Sequence, residues 1–104
     1  MPRYNEGKKY QNADLNMLVF GEGILGDAID VYLSQGFLPP HSLLREYSII
    51  HGEIIRRPIT EKLEVLNDMI INGQRLNDRE ARKRARKNVA YYKRFFMDQA
   101  AKSN

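Results

Sequence analysis

The chain has 104 residues and 12.1 kDa, the common size of one domain, with 42% apolar and 29% charged residues, so a folded core is expected rather than disorder. It contains no cysteine, which excludes a disulfide framework, a thiolate zinc site and a cysteine nucleophile. The longest apolar runs, such as Met17 to Phe20, fall far short of a bilayer span, and Met1-Pro2-Arg3-Tyr4 lacks the apolar stretch of a signal peptide, so a soluble intracellular (cytoplasmic) protein is expected.

The net charge of +4 conceals an asymmetry. Residues 75–94 hold nine Lys and Arg against Asp78 and Glu80, while the rest of the chain sums to −3. A concentrated basic block suits a polyanion such as nucleic acid, whose phosphates release counterions when cations approach. An acidic protein surface and a plain solvated helix face are the competing readings.

Residues 1–12, MPRYNEGKKYQN, show no apolar periodicity and read as an N-terminal arm, flexible or held by a partner, with Tyr4 and Tyr10 as candidate anchors. Residues 13–104 read as a single helical domain. Leu15, Leu18 and Val19 have helical spacing, although Met17 to Phe20 fits a short buried strand equally well. Gly21, Gly23 and Gly26 then argue against one continuous helix. A helix is expected over 24–35, because Ile24, Leu25, Ala28, Ile29, Tyr32 and Leu33 recur as i, i+4 pairs with Asp27 and Asp30 on the other side. Gly36 is placed to close it in the left-handed conformation, and Pro39-Pro40 forbids continuation.

The next helix is expected over 42–56, capped by Ser42, with Leu43, Tyr47, Ile50 and Ile54 on one face. A hairpin of Ser48 to Ile50 and Glu53 to Ile55 around His51-Gly52 is the alternative. Pro58 ends the element. A third helix is expected over 61–72, with Thr60 as N-cap, Leu63, Leu66, Met69 and Ile70 as its stripe and Gly73 closing it. The last is expected over 78–101, started by Asn77 or Asp78, with Ala81, Ala85, Val89, Tyr92, Phe96 and Ala100 in line. Its first half is narrow and basic; its second half, AYYKRFFM, is broadly apolar. The fold class is therefore all-α, a compact bundle of about four helices.

Gly21-Glu22-Gly23-Ile24-Leu25-Gly26 matches the spacing of a dinucleotide-binding turn. Such a site needs further parallel strands, and everything after Thr60 reads as helix, so a glycine hinge between helical segments is preferred and no cofactor is expected. His41 and His51 share no metal-ligand spacing with any acid, and no nucleophile motif accompanies Ser42. No metal site and no enzymatic activity are expected.

Two functions follow. The first is a non-enzymatic binding module whose last helix presents Arg79, Arg82, Lys83, Arg86 and Lys87 to nucleic-acid phosphates, without reading sequence. The second is an adaptor or assembly subunit of a larger complex, such as a viral particle, with self-association through Tyr91 and Phe95 beside a core formed by Tyr92 and Phe96.

Overall fold

The computed structural model describes residues 9–102. Among the described residues the chain is all-α, with four helices: α1 (Leu15–Ser34), α2 (His41–Arg56), α3 (Ile59–Gln74) and α4 (Arg79–Lys102). They form two compact units divided between Arg57 and Pro58, the first pairing α1 with α2 and the second pairing α3 with α4. None of these helices is long and apolar enough to cross a membrane.

α1 corrects the reading of the glycines. It runs unbroken through Gly21, Gly23 and Gly26, so neither a hinge nor a strand exists there. Each interior glycine costs a helix about 1 kcal/mol relative to alanine, and α1 forms despite that cost with Leu15, Leu18 and Val19 buried. A Cβ built on Gly21 would lie 3.8 Å from Ile50 Cδ1, and one on Gly26 would lie 3.6 Å from Tyr47 Cε1. A methyl group at either position would make only ordinary contact with α2. The true start of α1 is Asp14, whose carboxylate accepts from the Asn16 amide at 3.0 Å. Its end follows expectation. Gly36 has φ of 80°, the Gly36 amide donates to the Leu33 carbonyl at 3.0 Å, and the Phe37 amide donates to the Tyr32 carbonyl at 2.9 Å, which is the Schellman arrangement.

α2 is a helix through His51-Gly52, and the hairpin alternative falls. Its inward face carries Ile50 and Ile54, which are buried, as are Leu15, Leu18 and Val19 of the α1 helix it packs on. Ser42 is not the cap. Pro40 occupies that place without a side-chain bond, and its carbonyl accepts from Leu43 and Leu44. Arg57 is extended at φ −69°, ψ 149°, as a residue before proline must be.

α3 begins one residue earlier than Thr60, with Pro58 at the N-cap position, so Thr60 is a first-turn residue rather than a cap. Its buried stripe is also rotated from expectation. Lys62, Val65 and Leu66 are buried, whereas Leu63 and Ile70 are exposed. Gly73 lies within the helix rather than after it, and a Cβ there would stand 3.2 Å from the Ala85 Cβ. α3 and α4 approach closely at that point. α4 starts as read, because the Asp78 carboxylate accepts from the Ala81 amide at 2.9 Å and its carbonyl from the Arg82 amide at 2.9 Å. Tyr92 and Phe96 enter the core of the second unit, with no part of Phe96 exposed.

Candidate functional site

Successive residues on an α-helix turn by about 100°. With Tyr92 and Phe96 inward, the outer side of α4 therefore carries Lys83, Lys87 and Arg94, with Arg79 and Arg86 beside them, and all five are exposed. No carboxylate occurs between Glu80 and Asp98, a stretch that holds seven Lys and Arg. The result is a basic ridge about 22 Å long from Arg79 to Arg94 at 1.5 Å per residue, with Glu80 beside its first residue and no cation from residue 88 to residue 92.

Of the five residues expected to meet phosphate, Arg79, Lys83, Arg86 and Lys87 lie on this ridge. Arg82 does not. It is half-buried, and its guanidinium donates to the Leu76 carbonyl at 2.9 Å and to the Asn77 carbonyl at 3.4 Å. Arg82 therefore fixes the α3–α4 connection to the first turn of α4. Arg94 joins the set although sequence spacing does not bring it in, because it follows the apolar Val89 to Tyr92 stretch. Its place about four turns beyond Arg79 on the same side is readable only once the inward direction of the helix is known.

The flanking aromatics divide. Tyr91 is exposed and meets Tyr92 edge-on, with ring centroids 5.0 Å apart, while Phe95 is half-buried and packs on Phe96 at 5.6 Å. Tyr91 alone of the pair presents most of its ring outward. Tyr4 lies outside the described residues. Tyr10 turns to its own chain, donating its hydroxyl to the Glu46 carboxylate, which also accepts from Lys9 Nζ at 3.0 Å. The tyrosine hydrogen bond, followed by that of Lys9, holds the Glu46 carboxyl below its ordinary value of 4.5 against the opposing effect of burial.

The first unit contains two buried carboxylates that sequence spacing does not mark. Glu22, from the middle of the glycine motif, meets His51 Nδ1 at 2.5 Å, and the His51 ring stacks on Tyr47 at 5.9 Å. Glu53 pairs with Arg56 and, at 2.9 Å, with Arg57. Burial pushes the Glu53 carboxyl up, yet the hydrogen bonds and charges of the two arginines outweigh it and leave it below 4.5. Arg57 also donates to the carbonyls of Tyr10 at 3.0 Å and Ala13 at 2.7 Å. One guanidinium thus clasps residues 10–13 to the end of α2.

In the second unit Lys62 is buried, with its ammonium donating to Gln99 Oε1 at 2.8 Å and lying 5.5 Å over the Phe96 ring. Burial lowers its pKa from 10.5. Elsewhere His41 and Ser42 border an open hollow of about 400 Å³ with Lys9, Arg45, Glu46 and Ile49. Among the described residues no three His, Asp or Glu gather where a metal ion would sit. Comparison with known protein families, with curated proteins and with solved structures returns no match.

Proposed function

We propose that the protein is a non-enzymatic helical module that binds nucleic acid through phosphate contacts on α4. The observation that supports this reading is the exposed ridge of Arg79, Lys83, Arg86, Lys87 and Arg94, free of carboxylates from residue 81 to residue 97. Cations one to two turns apart on a single side track a line of phosphates, and the ridge presents no element that would read base edges, so binding is electrostatic and independent of sequence. The same reading makes it a soluble cytoplasmic protein.

Four or five phosphate contacts give a log–log salt slope of roughly −4 on duplex DNA. Replacing Lys83, Arg86, Lys87 and Arg94 together by alanine is expected to flatten that slope while the far-ultraviolet circular dichroism stays helical. Arg82→Ala is expected to leave the slope unchanged, since its guanidinium already serves the Leu76 carbonyl. Equal binding by the parent and the quadruple variant at every salt concentration would overturn the reading in favour of a structural subunit.

A further inference from the structure

α1 is apolar on two opposite sides. Leu15, Leu18 and Val19 are buried on the side that packs on α2, whereas Met17 (66% exposed), Phe20 (65%), Ile24 (53%) and Val31 (55%) form a second line facing away from it. Met17, Ile24 and Val31 recur at seven-residue intervals, with Phe20 and Ala28 between them, the repeat that keeps a seam facing a second helix. A helix apolar on both sides is left unfinished by a single neighbour.

We propose that this outer line is a self-association seam on which α1 of a second copy docks antiparallel, with the two-fold axis at Ile24. The proposal is independent of the phosphate reading. The register makes the sequence self-complementary. Met17 meets Val31 of the second copy, the large Phe20 meets the small Ala28, and Ile24 meets itself. Asp27, which borders the seam, meets Gly21 rather than another charge. A parallel pairing instead sets Phe20 on Phe20 and Asp27 on Asp27, a large-on-large and like-charge arrangement. The charges on α1 are Glu22, Asp27 and Asp30, with no Lys or Arg, so an anionic membrane or a phosphate backbone is repelled and an uncharged apolar helix face is the complementary surface. Four side chains from each copy remove on the order of 1,000 Å² in total, the lower end of specific interfaces, which fits a dimer that dissociates on dilution.

Sedimentation equilibrium of the whole chain is expected to show a monomer–dimer exchange. Ile24→Glu should raise the dissociation constant by about thirtyfold or more, the scale of losing a central anchor, with unchanged circular dichroism because residue 24 is exposed. The orientation is tested by single cysteines, since the chain has none of its own. Ile24→Cys should form a disulfide-linked dimer on mild oxidation. Met17→Cys should not, because the antiparallel register separates its two copies by about 20 Å at 1.5 Å per residue. A monomer at all concentrations, or a dimer indifferent to Ile24→Glu, overturns the seam; equal cross-linking by the two cysteine variants overturns the antiparallel register.

Discussion

The two helical hairpins are built from different materials. Among the described residues the α1–α2 pair holds four glycines within its helices and buries two carboxylates, Glu22 and Glu53, each answered by His51 or by arginine. The α3–α4 pair holds one glycine, relies on Tyr92 and Phe96, and buries a single ammonium, Lys62. Both solutions close a small core, but the first leans on directional charged bonds and the second on aromatic area. Local pairing geometry, rather than overall composition, therefore determines which conditions each hairpin tolerates. The Glu53 carboxylate, held by two arginines, weakens in acid, while the buried Lys62 gains when it sheds its proton.

The largest effect that would break this contrast is expected in the second hairpin. Phe96→Ala, at a position with no exposure, should lower stability by about 3–5 kcal/mol, read by denaturant titration. A loss below about 1 kcal/mol, the scale of an ordinary surface change, would show that the aromatic cluster is not the source of cohesion there.

In the first hairpin, Arg57→Ala should cost about 3 kcal/mol, because it leaves the buried Glu53 carboxylate with one cation fewer and frees the carbonyls of Tyr10 and Ala13. Arg57→Lys should recover little, since a single ammonium cannot serve a carboxylate and two carbonyls with a planar fork. Amide exchange at residues 10–13 is the direct readout, and protection unchanged in both variants would remove the clasp from the account.

The pH responses sharpen the contrast further. The carboxyls of Glu46 and Glu53 are held below 4.5 in the folded chain, so their contribution is present above that value and is lost as pH falls through the folded values. For Lys62 the folded pKa lies below 10.5. The unfolded chain then binds more protons in that interval, and the stability of the second hairpin rises as pH approaches 10.5. Lys62→Met should abolish the alkaline rise. Residue-resolved exchange across pH distinguishes the hairpins, and parallel pH profiles would erase the distinction.

The smallest effects concern glycine. Gly23 has open space where a Cβ would stand, so Gly23→Ala should stabilise α1 by about 0.5–1 kcal/mol. Gly36→Ala should do the reverse by about 1 kcal/mol, because φ there is +80°. Thermal melts that move in the same direction would contradict one of the two assignments.

Much of α4 is legible in the sequence. The Asp78 start, the inward line from Ala81 to Ala100 and the partition of Tyr92 and Phe96 from Tyr91 follow from spacing, because the small residues of the narrow first half fix which face of the broadly apolar second half turns inward. α1 defeats a sequence reading because glycine penalties are local, whereas the burial of Leu15, Leu18 and Val19 against α2 joins residues far apart in the chain. In α3 the apolar pattern points one step around the circumference, since Leu63 looks more suited to a core than Lys62. The lysine stem reaches Phe96 and its tip finds Gln99, a pairing that a hydrophobicity pattern does not register. Arg82 has the right spacing for the ridge, but its proximity to the Leu76 carbonyl commits it elsewhere.

The clasp at Arg57 also bears on the order of events during synthesis. The guanidinium that serves the Tyr10 carbonyl lies 47 residues downstream of it. At about 5–20 residues per second of translation, residues 10–13 therefore wait several seconds on the ribosome before their anchor exists. The last residue before Pro58 thus completes the first hairpin, and residues 10–13 are fastened only when the whole of α2 has been made.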